Sequence, residues 1–325
     1  MSERTIFVTG GAGFIGSHTC KLLHKSGFTP VTYDDLSRGN RDAVRWGPLI
    51  EGDICDTDKL TEALNSSNPE AVIHFAALAY VGESVEQPAD YYRVNVGGTQ
   101  SLLDACRKAG VNNIIFSSSC ATYGIPNHLP ISEATPQNPV NPYGRTKLIG
   151  EQMLEDYSAA YGIKYVALRY FNASGADPDG EIGEKHTPET HLIPNALMAA
   201  RGLIDNLSVF GDDYDTPDGT CIRDYIHVAD LAEAHISAVN YLANGGKNTA
   251  LNLGTGRGVS INDLLKSIST NLSCEVPTTI KPRRAGDPPA LYADARRARE
   301  VLGFNPALSD IDTIVSTAAP FFKRA

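Results

Sequence analysis

The sequence predicts an α/β fold, a doubly wound parallel sheet flanked by helices. Short apolar runs alternate with amphipathic stretches through the first half of the chain, as in repeated βαβ units. The runs with the length of buried strands are residues 5–9, 30–33, 49–51, 71–75, 113–117 and 165–170. The stretches with helical character between them are residues 14–26, 59–65, 91–109 and 143–161. A sheet of this kind binds its ligand at the carboxyl ends of its strands.

The pattern changes after about residue 172. Residues 172–189 are rich in Gly, Asp, Pro and Glu, which is typical of a long functional loop. Shorter strands and helices follow, with turns at residues 212–219 and 283–289. We therefore expect a cofactor-binding domain over residues 1–172 and a smaller C-terminal α/β substrate domain over residues 173–325, with the chain crossing between them.

Composition limits the classes of function. The chain has 325 residues and a net charge of −10, which argues against nucleic acid or an anionic membrane as the main partner. Its six cysteines are scattered without a CxxC pair or nearby histidines, so neither a disulfide framework nor a metal site is expected. We find no signal peptide pattern and no apolar run of membrane-spanning length, which favours the cytoplasm.

A glycine-rich turn follows the first predicted strand. Gly10, Gly13 and Gly16 permit a tight turn and a close approach of the backbone to a pyrophosphate, and the helix behind them would aim the amides of Phe14 and Ile15 at the phosphates. The second strand ends at Asp34, where a carboxylate can accept hydrogen bonds from an adenosine ribose. The same charge repels a 2′-phosphate, so the Rossmann-type site is predicted to bind NAD.

Two later strand ends offer weaker evidence. Asp53 follows the third strand and could receive an adenine amino group, although a cap or a solvated acid explains it equally well. Phe75, Ala76 and Ala77 end the fourth strand, and the two alanines would let a cofactor lie against the backbone. Core packing is an equally good explanation of these three residues.

One tyrosine has the surroundings of a catalytic base. Of the fourteen tyrosines, only Tyr143 has a lysine four residues later, Lys147, and a proline precedes it at the expected start of a helix. A neighbouring ammonium favours the phenolate over the phenol. Ser119 ends the segment 114–119, a buried-strand pattern that finishes in three serines, and could hydrogen-bond a reacting hydroxyl of a substrate. In isolation, a solvated lysine beside an aromatic ring, and serines that cap a strand, would explain the same residues.

The sequence resembles the extended short-chain dehydrogenase/reductase family, and within it the nucleotide-sugar epimerases, over nearly the whole chain. The glycine turn marks only the superfamily, whereas the later segments are more specific. The segments that carry the resemblance are residues 8–19, 74–77, 81–85, 116–119, 121–124, 141–147, 168–172, 209–214, 218–220, 223–228 and 283–287. Two positions depart from the family pattern. Ala79 stands where some members carry a lysine that reaches the nicotinamide ribose, and His191 replaces an asparagine often found near the substrate phosphates, so neither role is carried over.

The resemblance implies a site. Tyr143 would be the base, Lys147 would lower the pKa of Tyr143 and hold the nicotinamide ribose, and Ser119 would assist at the sugar oxygen. The implied cofactor contacts are Gly10, Gly13, Phe14, Ile15, Gly16, Asp34, Asp53, Ile54, Phe75, Ala76, Ala77, Asn95, Ser117, Tyr143, Lys147 and Tyr170. The implied substrate contacts are Ser119, Tyr143, Asn172, Arg223, Arg284, Asp287 and Leu291, the last as the gate for a C2 substituent.

The resemblance also implies a reaction, the inversion of C4 between UDP-glucose and UDP-galactose through a 4-keto sugar with tightly bound NAD. UDP-N-acetylhexosamines or UDP-pentoses are the alternative substrates, and a non-catalytic NAD sensor is the alternative of another class. Sugar-nucleotide dehydratases carry an Asp-Glu pair where this chain has Cys120 and Ala121, so elimination is not expected. The resemblance further implies a homodimer through residues 91–109 and 143–161 and a role in galactose metabolism.

Overall fold

A computed structural model describes residues 4–284 and 288–323. The strands are β1 Arg4–Thr9, β2 Phe28–Asp34, β3 Leu49–Glu51, β4 Ala71–His74, β5 Asn113–Ser119, β6 Lys164–Tyr170, β7 Asn172–Ser174, β8 Leu207–Phe210, β9 Ile222–Arg223, β10 Tyr225–His227, β11 Thr249–Leu253, β12 Val259–Ser260, β13 Thr278–Lys281 and β14 Ala290–Leu291. The helices are α1 Phe14–Lys25, α2 Thr57–Ser67, α3 Val81–Glu86, α4 Pro88–Tyr91, α5 Gly98–Ala109, α6 Pro142–Tyr161, α7 Leu192–Ala200, α8 Val228–Ala243, α9 Ile261–Leu272, α10 Arg296–Leu302 and α11 Ile311–Ala318. Among the described residues, no helix is both long enough and apolar enough to cross a bilayer.

The largest sheet has seven parallel strands in the order β11-β6-β5-β4-β1-β2-β3. The predicted Rossmann-type fold is confirmed. Strand order reverses between β1 and β4, and this reversal opens a crevice at the carboxyl ends of the two strands. The glycine turn leaves β1 at this point, so the topology places the expected cofactor loop at the switch point of the sheet.

Apolar side chains alternate across this sheet. Ile6 and Val8 of β1 pack in one buried layer with α1 and α8, whereas Phe7 packs in the opposite layer with α2, α5 and α6. All three side chains are fully buried, and each contributes roughly 1.5–3 kcal/mol by leaving water. The sheet is therefore covered on both faces, which leaves its strand ends as the exposed edge for a ligand.

A second apolar core lies in the smaller part of the molecule. It joins α7, α9 and α11 to β8 and β10 through Leu197, Val209, Tyr225, Leu264 and Ile314. The chain does not divide cleanly at residue 172. Strand β11 follows that residue and yet pairs with β6 of the seven-stranded sheet, and α8 packs in the apolar layer on the same sheet. The boundary at residue 172 stays a prediction that allows for such crossings.

Three element boundaries differ from the sequence prediction for identifiable reasons. Strand β5 continues to Ser119 because β6 pairs with it up to Tyr170. Helix α2 begins at Thr57, because the side chain of Asp56 accepts a hydrogen bond from the amide of Lys59 and caps the helix. The single helix predicted over residues 91–109 begins earlier and contains a π-helical segment, Tyr92–Gly97, ahead of α5.

A buried histidine connects this fold to its pH stability. His235 of α8 is 0% exposed, and its Nδ1 lies 2.7 Å from the carbonyl oxygen of Leu231. Its ring packs 4.7 Å from that of Phe75. Burial lowers the pKa of His235 to about 4, so the folded protein holds this imidazole neutral.

The His235→Leu variant should lose part of the pH dependence of stability. Between the usual histidine pKa of about 6.5 and the lower pKa of the folded state, only the unfolded chain takes up a proton at His235, so stability falls as pH falls through this window. Without that group, the free energy of unfolding should fall less steeply as the pH is lowered. The slopes of variant and wild type should differ by up to about 1.4 kcal/mol per pH unit. Urea denaturation in half-unit steps from pH 7 to pH 4 measures this slope. The exposed His24→Leu variant serves as the control, and equal slopes in both variants would contradict the prediction.

Candidate active site

The glycine turn packs tightly against the chain that leaves β4. Gly10 has φ +72°, in the left-handed region that favours glycine. A Cβ atom on Gly10 would lie 2.5 Å from the backbone nitrogen of Ala76. A Cβ atom on Gly16 would lie 2.2 Å from the carbonyl oxygen of Gly10. The turn therefore requires glycine at both positions.

The first turn of α1 faces this crevice. Gly13 is the N-cap residue and provides no side chain to cap the helix. The amides of Phe14 and Ile15 have no carbonyl partner within the helix, since the first amides of any helix precede the first hydrogen bond. These amides and the positive end of the helix dipole are suited to a phosphate group, and the contact with a phosphate stays a prediction.

Asp34 stands at the end of β2, beside the glycine turn. Its Oδ2 accepts a hydrogen bond from the amide of Ala12 at 3.0 Å, and its Oδ1 accepts one from the amide of Leu36 at 2.9 Å. Burial raises the pKa of Asp34, and the two amide hydrogen bonds oppose that shift. Each carboxylate oxygen has a second lone pair, so the group that fixes the turn is also able to accept ribose hydroxyls.

Asp53 and Ile54 follow β3. The Oδ1 of Asp53 accepts a hydrogen bond from the amide of Cys55 at 2.9 Å, which forms a local turn on an exposed edge. Ile54 is 6% exposed and lies beneath Gly98, where an added Cβ atom would come within 2.6 Å of the isoleucine Cγ2. Both residues thus have structural roles, which the alternative interpretation expected for Asp53, and the cofactor contacts of both stay predictions.

Asn95 lies in the π-helical segment and uses its whole amide group to join two walls of the crevice. Its Oδ1 accepts a hydrogen bond from the amide of Leu78 at 2.8 Å. Its Nδ2 donates to the carbonyl oxygen of Leu78 at 2.9 Å and to the hydroxyl of Thr146 at 3.0 Å. Asn95 therefore holds the chain that leaves β4 against α6, next to Lys147.

Helix α6 places the tyrosine and lysine on one face. Asn141 caps the helix by accepting a hydrogen bond from the amide of Gly144 at 2.8 Å, and Pro142 occupies the first helical position. Lys147 lies one turn beyond Tyr143, with its Nζ 5.9 Å from the centre of the Tyr143 ring. The same Nζ donates to the carbonyl oxygen of Ser117 at 2.8 Å, so the lysine is tied to the end of β5.

Burial shifts both groups toward their neutral forms. It raises the pKa of Tyr143 to about 12, although a hydrogen bond with Ser119 opposes the shift. It lowers the pKa of Lys147 to about 7, although the nearby carboxylate of Glu151 opposes that shift. The phenolate therefore requires a further positive charge in the crevice, such as a cationic ligand ring, before Tyr143 serves as a base near neutral pH.

The end of β5 presents its hydroxyl groups beside α6. Ser119 is 8% exposed, its Oγ accepts a hydrogen bond from the amide of Ala121 at 3.1 Å, and its side chain lies near enough to Tyr143 to lower the pKa of that phenol. Ser117 hydrogen-bonds the hydroxyl of Tyr170 on the neighbouring strand. Burial raises the pKa of Tyr170, so this phenol remains protonated. Tyr143, Lys147 and Ser119 thus lie together at one edge of the sheet.

The predicted substrate contacts occupy several short elements. Arg223 of β9 pairs with Leu291 of β14, so these two residues are neighbours. The amide of Asn172, at the start of β7, donates to the carbonyl oxygen of Asp224 at 3.0 Å. The guanidinium of Arg284 stacks 3.9 Å from the ring centre of Phe210 on a different strand. Asp287 lies outside the described residues.

Asp224 has a positioning role that the sequence pattern did not reveal. It is fully buried, and its carboxylate accepts hydrogen bonds from the amide of Thr255 at 2.8 Å, from the amide of Gly256 at 3.0 Å and from the amide of Ala293 at 3.0 Å. It therefore holds the loop after β11 and the segment after β14 beside Arg223. The only local signal was a carboxylate within an apolar strand pattern.

Glu151 is a second residue whose role was not predicted from the sequence. It lies four residues after Lys147 on α6, is 5% exposed, and accepts a hydrogen bond from the Nε of Arg169 at 2.9 Å. The hydroxyl of Ser118 also donates to it. Its charge favours the protonated form of Lys147, and the i, i+4 spacing was the signal that could have identified it.

The fold and the site together define a dinucleotide-binding α/β protein with a tyrosine, lysine and serine centre. Residues 6–254 match the NAD dependent epimerase/dehydratase family, and the chain belongs to this family. Full-length similarity to known epimerases confirms the resemblance to nucleotide-sugar epimerases.

The chain is 51% identical over 318 residues to the UDP-glucose 4-epimerase of Rhizobium leguminosarum bv. trifolii, an alignment that covers 98% of this chain and 97% of that one. It is 65% identical to a UDP-glucose 4-epimerase from Brucella ovis solved in complex with NAD, with a TM-score of 0.97 and 98% coverage of each chain. It is 38% identical to the UDP-Glc/GlcNAc 4-epimerase of Campylobacter jejuni, with a TM-score of 0.86 and 98% coverage of each chain.

Proposed function

We propose that this protein is a UDP-glucose 4-epimerase that interconverts UDP-galactose and UDP-glucose. The observation that carries the proposal is the meeting of Tyr143, Lys147 and Ser119 at the strand edge beside the glycine turn. The full-length similarity to UDP-glucose 4-epimerases supports the choice of reaction. A non-catalytic sensor typically loses part of such a catalytic set, whereas Tyr143, Lys147 and Ser119 are all present here.

The described residues fit NAD. Gly10 and Gly16 permit the tight turn, since a Cβ atom on either would collide with backbone atoms of the turn or of the chain after β4, and the amides of Phe14 and Ile15 have no partner within α1. Asp34 has the charge and position for a ribose with free hydroxyls, and its charge disfavours a 2′-phosphate. When bound, NAD supplies a reversible two-electron oxidation at C4 of the sugar.

The protein's own residues move the proton and hold the sugar. Tyr143 accepts the proton of the 4-hydroxyl when C4 is oxidised. It returns the proton to the same oxygen when C4 is reduced, whichever face of the sugar is then presented. Ser119 hydrogen-bonds that oxygen and orients it. Lys147, tied to Ser117, supplies positive charge that favours the phenolate when the lysine is protonated.

Inversion requires that the sugar turn over while the nucleotide stays in place. Arg223 and Arg284 are the proposed clamps for the diphosphate, since a planar guanidinium binds phosphate oxygens in pairs. Binding energy is then concentrated on UDP, away from the reacting carbon. The keto sugar remains free to present its opposite face.

Elimination is a less suitable reaction for this site. Residues Cys120 and Ala121 lie in a short 3-10 turn directly after Ser119, where a dehydratase requires an acid and a base. Burial raises the pKa of the Cys120 thiol to about 12, so the thiol stays neutral near pH 7. Within the described chain, this turn offers no carboxylate for elimination.

The assay for this function is the conversion of UDP-galactose by the purified protein without added NAD. The reaction is stopped by heat, and UDP-glucose dehydrogenase with its NAD is added only afterwards to measure the UDP-glucose produced. Production of UDP-glucose supports the proposed reaction and cofactor retention. An absence of product even after NAD is added to the protein would overturn the proposal.

Substrate range is proposed to depend on Leu291. This residue is half-buried on β14 beside Arg223, and it packs against the cluster that contains Tyr123 and Phe171. Leucine leaves more space than tyrosine, so N-acetylhexosamine or pentose substrates remain the alternative to a strict UDP-hexose preference. A narrower pocket would exclude the larger C2 substituent.

The Leu291→Tyr variant should lower any activity on UDP-N-acetylgalactosamine at least about tenfold, whereas its activity on UDP-galactose should change less. The reason is that one steric group in a pocket changes the relative transition-state binding of two substrates by roughly 1–3 kcal/mol. The ratio of the two kcat/KM values is the measurement. Leu291→Met, of similar volume, is the matched control. An unchanged ratio would show that Leu291 is not the gate.

We further propose a homodimer through the helices of residues 91–109 and 143–161, a location in the cytoplasm and a role in galactose metabolism. Exposed aromatic side chains support this interface, since Tyr92 is 38% exposed and Tyr161 is 55% exposed. The six cysteines are free thiols, as expected of a reducing compartment. Light scattering on the eluting protein would distinguish dimer from monomer.

A further inference from the structure

Four potential metal ligands converge in the segment between β7 and α7. They are Glu184, His186, Glu189 and His191, in the order Glu-x-His-x-x-Glu-x-His. One ligand atom from each residue lies within 4.8 Å of the corresponding atom of every other. None of the four belongs to the proposed catalytic centre.

Both imidazoles turn the same nitrogen toward the same two carboxylates. The Nδ1 of His186 lies 3.2 Å from Oε1 of Glu184 and 3.5 Å from Oε2 of Glu189. The Nδ1 of His191 contacts Oε1 of Glu184 and lies 3.7 Å from Oε1 of Glu189. Ligand atoms about 2.0–2.2 Å from one tetrahedral ion would lie roughly 3.4 Å apart, which is close to these separations.

Hydrogen bonding alone does not account for this cluster. The Nδ1 of His186 is buried and, within the described chain, has no hydrogen-bond partner, although two carboxylate oxygens lie nearby. An ion that this atom ligates would satisfy it. The side chains of Glu184 and Glu189 are only 4% and 9% exposed, so their charges require compensation. Two protonated imidazoles would supply that charge through the ion pairs, and one divalent ion supplies the same charge when both imidazoles are neutral.

We propose that Glu184, His186, Glu189 and His191 bind one divalent transition-metal ion, with Zn²⁺ as the ion that best suits two imidazoles and two carboxylates. The protein fills all four positions of a tetrahedral site, and a site closed in this way is structural. The ion therefore stabilises the segment and takes no part in the reaction at Tyr143.

The position of the cluster indicates what the ion would hold. The backbone carbonyl of Lys185, between two of the ligands, accepts a hydrogen bond from Nδ2 of Asn40 at 3.1 Å. The amide of Asn40 in turn donates to the carbonyl oxygen of Ala12 in the glycine turn at 2.9 Å. The ring of His186 also lies edge-on to Phe14, with centres 6.3 Å apart. The ion would thus fix this segment beside the glycine turn.

The test is zinc binding by the full-length protein after treatment with a chelator and its removal. Zn²⁺ is titrated against a chromophoric competitor, and elemental analysis counts the ions bound. The His186→Asn/His191→Asn double variant removes two ligands. The His24→Asn/His128→Asn double variant removes two exposed histidines and keeps all six cysteines, so it is the matched control. Circular dichroism checks that both variants are folded.

The wild type and the control should each bind one Zn²⁺ per chain, and the thermal midpoint of both should rise with Zn²⁺. The ligand variant should bind at least about 100-fold more weakly, with no rise in its midpoint. If the double variant does not fold, His191→Asn alone replaces it, since that side chain is 46% exposed. The proposal is overturned if the wild type binds no stoichiometric Zn²⁺, or if the ligand and control variants bind it equally.

Discussion

The Tyr143→Phe variant should lose at least about 10³-fold in kcat at pH 8, within the range of roughly 10²–10⁴ that a positioned acid–base group contributes. Phenylalanine keeps the ring that lies beside Lys147 and removes only the hydroxyl next to Ser119. Proton removal from the sugar 4-hydroxyl would then have no acceptor in the site. Steady-state rates with UDP-galactose measure the loss.

The control for this variant is Tyr157→Phe on the same helix. The hydroxyl of Tyr157 donates to Asp104 at 3.0 Å, away from the crevice, so its removal should leave kcat within about twofold. NAD content and thermal midpoint should be similar in Tyr143→Phe and the wild type. A Tyr143→Phe variant that retained a tenth or more of the wild-type rate would show that Tyr143 is not the base.

The second large effect is expected for Gly16→Ala. The new Cβ would lie 2.2 Å from the carbonyl oxygen of Gly10 and 2.8 Å from the Cα atom of Gly11, so the backbone of the turn must move. Steric strain of this kind typically costs about 1–3 kcal/mol of stability. The displaced turn should also fail to bind a pyrophosphate, so the purified variant should contain less than about a tenth of the wild-type NAD.

Gly82→Ala is the matched control, because a Cβ atom there meets no atom within 4 Å and α3 tolerates alanine. Released NAD is quantified by absorbance after the protein is denatured, and stability by thermal unfolding. Gly16→Ala with full NAD content and an unchanged midpoint would contradict the proposed role of the glycine turn.

The sequence predicted those parts of the fold that depend on local pattern. Buried strands such as β1 carry consecutive apolar residues at their centre, and the glycine turn has a strand before it and a helix after it. Helix α6 was predictable from Pro142 at its first position and from the spacing of Tyr143 and Lys147. The π-helical segment around Asn95 was not, since its hydrogen bonds to Leu78 and Thr146 depend on chain segments distant in sequence.

Residues whose roles depend on the fold were harder to find. The carboxylate of Asp224 accepts hydrogen bonds from the amides of Thr255 and Ala293, which lie 31 and 69 positions further along the chain. The proposed zinc cluster departs from the expectation of no metal site. That expectation rested on cysteine and histidine spacing, whereas the cluster pairs His186 and His191 with two glutamates. The structure brings the four ligand atoms together in a segment that is neither helix nor strand, so no periodic pattern marks them.

The most direct test of the proposed epimerisation is the fate of deuterium at C4. UDP-galactose labelled with deuterium at C4 is incubated with the protein without added NAD, and the UDP-glucose formed is analysed by mass spectrometry and NMR. We expect the deuterium to return to C4 of the product in the same turnover, with no loss to solvent. Loss of the label to water, or a product without C4 inversion, would contradict the proposed reaction.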